Sequence, residues 1–185
     1  MSNTDTPNVK EAKSIIQGKT KTAEELLKLG KALKTERAFS FARRVLERAL
    51  DDKALDKNPP LKVLIHQQCA LCTYKDEDLS ARERYDMALR VLNAIDDFGD
   101  TVKEKQETMG LYGAIYKRKW EVDAHKLNLE RSLLYYRRGY EMGVKTDQGY
   151  TAINAAYVLE LLAYQEAAEK LDDPRLSTNG DAGST

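Results

Sequence analysis

Three features of this sequence predict an all-α chain folded as a right-handed solenoid of about three helix pairs plus a terminal helix. They are charge-rich amphipathic segments almost free of proline, helix-start signals at intervals, and a spacing of small and large residues that repeats between helix pairs. Charged residues make up 32% of the 185, and there are only four prolines, which favours long amphipathic helices over an all-β domain. The 30 basic and 30 acidic residues balance, so no global field draws in duplex nucleic acid or an anionic membrane. No apolar run reaches the roughly 18 residues of a membrane span, and the start, MSNTDTPNVK, lacks the apolar core of a signal peptide. A cytoplasmic protein with two reduced cysteines is the expectation.

The ends, residues 1–9 and 173–185, are polar and aperiodic and are expected to be disordered, leaving one helical domain over 10–172. Within it, Thr22 and Glu25 stand at capping-box spacing before TAEELLKLGKALK. ERAFSFARRVLERAL follows with Phe41, Val45, Leu46, Ala49 and Leu50 on one stripe. Asn58-Pro59-Pro60 opens LKVLIHQQCALCTY. Ser80 and Glu83 repeat the capping-box signal before a helix expected to end at Phe98-Gly99-Asp100. Further helices are expected over about 103–121, 125–142 and 148–170.

Gly30, Ala42, Leu46 and Ala49 are separated by twelve, four and three residues, and Cys69, Ala81, Tyr85 and Ala88 repeat those spacings. Ser132, Tyr136 and Gly139 keep the four and three, with Gly113 as their small partner if seven residues are inserted. Ala156 and Ala168 are again twelve apart, with no completing helix. A small residue lets one helix approach the next, and a small-large-small stripe receives it. This is the tetratricopeptide pattern, and it makes the fold a tetratricopeptide-like solenoid.

Two segments invite chemistry and have plainer readings. CALC, Cys69 to Cys72 with His66 one turn earlier, has the look of a metal or redox motif. The repeat places Cys69 at a packing position and leaves too few soft ligands, so no metal and no cofactor are expected. KDEDLSARERYD, Lys75 to Asp86, reads as a solvated loop and an acidic helix start.

GLYGAIYKRKWE is harder to dismiss. Met109, Gly113, Tyr116 and Trp120 form a packing stripe, while Glu107, Gly110, Ala114, Lys117 and Glu121 form another that the repeat turns toward the concave surface. Two small residues followed by a cation leave a shallow place where a ligand could reach the backbone and meet charge. Arg118, Arg131, Tyr135, Tyr150 and Asn154 lie on the same or the following helices, and Asn154 sits among apolar neighbours, where a bare amide is costly. From Thr101 to Tyr140 nine cations face five anions. The candidate site is therefore Glu107, Gly110, Lys117, Arg118, Arg131, Tyr135, Tyr150 and Asn154. Its expected occupant is a protein partner or a small anionic, nucleotide-like molecule rather than duplex nucleic acid.

QETMGLYGAIYKRKWE, LERSLLYYRRGYE and DQGYTAINAAYVLELLA resemble the tetratricopeptide-like region that binds TRAF proteins in the apoptosis signal-regulating kinases, and more closely its free-standing bacterial relatives. The matching residues are Gly110, Gly113, Ile115, Tyr116 and Lys117, then Gly149, Ile153, Asn154 and Ala155. The resemblance implies a helical solenoid used in signalling, and for the bacterial relatives a place in immunity or conflict systems with a nucleotide-like ligand. No kinase domain accompanies it here.

A non-enzymatic signalling or adaptor module is the leading expectation. The rivals are an enzyme on a nucleotide derivative, with Glu107 as general base and Lys117 with Arg131 holding phosphate, and a homo-oligomerisation scaffold built on the last helix.

Overall fold

The start signals act where the sequence puts them. Thr22 and Glu25 close a capping box on α2 (Ala23–Thr35). Asn58 caps α4 (Pro59–Tyr74), which opens on its two prolines. Ser80 and Glu83 close a capping box on α5 (Ala81–Leu92). The computed structural model describes residues 5–171, and its remaining helices are α1 (Pro7–Ile16), α3 (Phe39–Leu50), α6 (Val102–Asp123), α7 (Lys126–Glu141) and α8 (Tyr150–Leu171).

Three local expectations are corrected. Helix α1 begins at Pro7, inside the stretch expected to be disordered. Thr6 caps it, Pro7 presets its first turn, and Val9, Ala12 and Ile15 bury a stripe that the polar composition hides. Residues 1–4 and 173–185 lie outside the described residues. Helix α5 ends at Leu92 rather than at Phe98, and a 3-10 turn, Asp96–Phe98, carries the chain to α6. Asp76, expected in a solvated loop, is buried and accepts from Arg43 Nε at 2.8 Å, tying α3 to the α4–α5 connection.

Helices α2 and α3, α4 and α5, and α6 and α7 pack as pairs, each pair on the next, with α1 against the first and α8 against the last. The inner helices α2, α4, α6 and α8 touch in succession and line the concave side. Small residues set the approach. A Cβ on Gly30 would stand 2.7 Å from the Leu46 side chain, and one on Gly113 would stand 2.7 Å from the Tyr136 ring. Ser132 Oγ donates to the Gly113 carbonyl at 2.8 Å. The seven inserted residues therefore leave the Gly113–Tyr136 seat intact, and α6 extends to Asp123 before α7 begins. Cys69 and Cys72 are fully buried in the first core cluster. Burial pushes both thiols up to about 12, the condition of packed, unreactive cysteines.

Gly113→Leu should destabilise the protein by about 3 kcal/mol in urea unfolding, because the Tyr136 ring has nowhere to move. Gly110→Ala should cost under about 1 kcal/mol, because its neighbour is the half-exposed Tyr150 ring. Both cysteines should resist iodoacetamide at about pH 8 until the chain is unfolded, read by mass spectrometry.

Candidate functional site

The concave stripe of α6 forms the floor of a groove. Glu107, Gly110 and Ala114 lie along it, Leu71, Tyr74 and Lys75 come from the end of α4, and Asp147 and Tyr150 come from the start of α8. The cavity is about 350 Å³, within the usual range for small-molecule sites. Gly110 is buried under α8, and a Cβ there would lie 3.2 Å from the Tyr150 ring.

Two buried oxygens beside the groove lack partners. Gln106 Nε2 donates to the carbonyls of Gly139 and Gly143, at 2.8 and 2.6 Å, which fixes the amide and leaves Oε1 unbonded. The buried Tyr136 hydroxyl has no hydrogen bond either; its ring meets Tyr150 edge-on at 6.1 Å. Burial first, and Tyr150 next, raise its pKa far above the ordinary tyrosine value. Burial likewise pushes the Tyr74 hydroxyl up to about 12, so it acts as a neutral hydrogen-bonding group. Unpartnered buried polar atoms are uncommon in folded proteins; Arg84 Nε, Trp120 Nε1 and Gln165 Oε1 share the condition away from the groove.

One turn beyond Ala114, on the same face of α6 but past the residues that line the groove, stands Lys117. Its ammonium is half-buried, donates to Asn154 Oδ1 at 3.4 Å, and sits 5.1 Å from the centre of the Tyr157 ring. Among the described residues no carboxylate lies within ion-pair distance of it. Desolvation lowers its pKa below the ordinary value of 10.5. Asn154 is bonded at both ends, since its Nδ2 also donates to the Tyr150 carbonyl at 2.9 Å. Arg118 lies beside Lys117 on the helix and pairs with Glu121 at 2.5 Å. The opposite end of the groove is acidic, but Asp147 already accepts from Gly149 N, Thr151 N and Thr151 Oγ1, holding the start of α8.

Glu107, Gly110, Lys117, Arg118, Tyr150 and Asn154 are thus brought to one face. Arg131 and Tyr135 are not. Tyr135 stacks on Tyr112 at 4.5 Å and on Tyr116 at 5.7 Å, and the Arg131 guanidinium covers Tyr116 at 5.5 Å. Those two tyrosines stand about half a turn around α6 from Gly110 and Ala114. Lys117 and Arg131 therefore diverge, and the phosphate clamp expected of an enzyme is not formed. Of the nine cations between Thr101 and Tyr140, Arg118, Lys119, Lys126 and Arg137 are in ion pairs.

Sequence reasoning missed Tyr74, Lys75, Gln106 and Asp147. The first two stand about forty residues before Ala114, the offset at which neighbouring inner helices touch, as Gly110 and Tyr150 do. Gln106 could have been found as the one amide continuing the Met109–Gly113 packing stripe.

A family model described as Tetratricopeptide Repeats-Sensor matches residues 38–159, from the α2–α3 connection into α8, and so spans the groove. Neither the curated proteins nor the solved structures gave a match. None of the described helices is long and apolar enough to cross a membrane.

Lys117 makes a pH prediction. Between its lowered folded pKa and the ordinary 10.5, the unfolded chain holds more protons at this residue than the folded one, so its contribution to stability increases as pH rises through that window. In Lys117→Met this contribution should vanish, with stability at neutral pH equal to or above that of the parent, measured by urea unfolding across the window.

Proposed function

The chain belongs to the Tetratricopeptide Repeats-Sensor family, and on that premise we propose that its concave groove senses a small anionic, nucleotide-like ligand and so regulates an associated effector without catalysing a reaction. The observation that carries this reading is Lys117: a half-buried cation one turn past a ligand-sized groove on the same face of α6, held by a neutral amide and an aromatic ring instead of a carboxylate. An anion supplies the missing countercharge and raises the lysine pKa back toward its ordinary value.

The rest of the groove supports the same polarity. Phosphate fits the Lys117 and Arg118 end, and Glu107 at the other end accepts from hydroxyl or amino groups, as acidic residues do for ribose diols. Tyr74 and Tyr150 offer aromatic surface to a base. Glu107 is solvent-exposed and the other carboxylate of the groove, Asp147, is committed to the start of α8, which favours recognition over hydrolysis. The resemblance to free-standing bacterial relatives of the kinase region supports a setting in immunity or conflict signalling.

A second reading has its own observation. Beyond Glu107 the concave side continues as a more apolar channel of about 530 Å³ lined by Pro60, Leu61, Leu64 and the Gln67 and Gln68 amides. An acidic peptide from a protein partner could lie along it with its carboxylates toward Lys117.

Thermal-shift screening with mononucleotides, dinucleotides and their ribosyl fragments tests the proposal. A ligand at a hundred times its Kd should add about 2.7 kcal/mol, several degrees in a domain of this size. Lys117→Ala should abolish the shift and Arg131→Ala should preserve it. A shift lost in Arg131→Ala and kept in Lys117→Ala would move the site to the other side of α6. No shift with any compound would favour the peptide reading.

A further inference from the structure

Helix α8 is apolar on two opposite sides. Thr151, Ala155, Val158 and Leu162 are buried on the inner one. At 100° per residue, Ile153, Tyr157, Glu160, Tyr164, Ala167 and Leu171 fall on the other, at spacings of four, three, four, three and four. That is the seam spacing of a coiled coil. The seam is open: Ile153 is 69% exposed, Tyr164 77% and Leu171 85%. A helix apolar all round belongs in an interior, and the preceding inner helices obey this, α4 being covered by α6 and α6 by α8. The other end of the solenoid is finished differently, with Lys10 and Lys13 exposed on α1, as a capping helix requires.

We propose that the outer seam of α8 is a homodimer interface, formed with α8 of a second copy running antiparallel across a two-fold axis near position 162. The register argues for this occupant. About that axis Ile153 meets Leu171, Tyr157 meets Ala167, and Glu160 meets Tyr164, each pair occurring twice. Apolar faces apolar, large faces small, and the one charged residue of the seam meets a phenol that donates to its carboxylate. Parallel pairing would set Glu160 on Glu160 and Tyr157 on Tyr157. Ala156, Ala163 and Ala168 flank the seam, so the two helices approach closely along its middle, and the Ala156–Ala163 flank continues to Lys170 at its end. The exposed seam side chains amount to roughly 600 Å², near the ~800 Å² per partner of a standard interface. Residues 172–185, DDPRLSTNGDAGST, bring one large apolar side chain, Leu176, and a proline, and so carry no matching stripe. This inference does not rest on the ligand reading.

Sedimentation equilibrium and light scattering on the full chain at tens of micromolar should give a mass near twice 21.0 kDa. Tyr164→Glu sets carboxylate against carboxylate at two symmetric places; it should raise the dimer Kd at least tenfold while leaving the circular dichroism spectrum unchanged, because the residue is exposed on the monomer, and any fall in Tm should be only the part that dimerisation supplies and so depend on protein concentration. Under mild oxidation Ile153→Cys/Leu171→Cys should form a covalent dimer, and Ile153→Cys alone should not; buried Cys69 and Cys72 do not compete. A monomer up to roughly 100 μM, where an interface of this size should be populated, would overturn the proposal. So would a dimer indifferent to Tyr164→Glu, or cross-linking by Ile153→Cys alone, which is the signature of parallel pairing. A monomer whose α8 loses amide protection when the chain is cut after Leu171 would assign the face to residues 172–185 instead.

Discussion

The close approach of paired helices over residues without bulk is the constraint on which this molecule depends. Leu46 seats on Gly30, Tyr136 on Gly113 and Thr151 against Gly139. Each seat brings two backbones nearer than any larger residue allows, and the sum of the seats sets the stagger of the solenoid. The groove follows from that stagger. Because α6 and α8 touch through Gly110 and Tyr150, the gap between α4 and α8 opens directly over the Glu107–Ala114 stripe. A wider spacing would let water reach Gln106 and Tyr136, and a narrower one would close the cavity.

The same packing explains why Lys117 is held without a countercharge. Its position on α6 is fixed by the Gly113 seat one turn before and by Trp120, half-buried against the α7–α8 cluster, just after. The side chain is thereby carried into the angle between α6 and α8, where Asn154 and Tyr157 are the neighbours in reach. Neighbouring cations had acidic residues on the same helix or the next and took them, as Arg118 took Glu121 and Lys119 took Asp86. Tyr157 has a double role in this arrangement: its ring supports Lys117 and belongs to the outer seam of α8.

Much of this was legible in the sequence. The capping boxes at Thr22 and Ser80, the proline start at Asn58 and the small-large spacing are local or periodic signals, and the helices and their pairing follow from them. The placing of Glu107, Gly110 and Lys117 on the concave side was legible too, because helical period and repeat frame together fix which stripe faces inward. The start of α1 was missed because three apolar residues at helical spacing are diluted by lysine and serine, and burial of Asp76 because its partner, Arg43, lies thirty-three residues away.

What the sequence determined by itself is the helices, their pairing and the stripe of α6 that faces inward, since these depend on interactions within a few residues or on a period read along the chain. The tertiary structure alone decided that Arg131 and Tyr135 leave the site while Tyr74, Lys75 and Gln106 join it. It also decided that Lys117, among nine neighbouring cations, is the one half-buried beside an amide. The reason is physical: which side of a helix a residue occupies is periodic and local, but what it meets there depends on the rotation of another helix. A few tens of degrees of that rotation separate a guanidinium stacked on Tyr116 from one facing the groove.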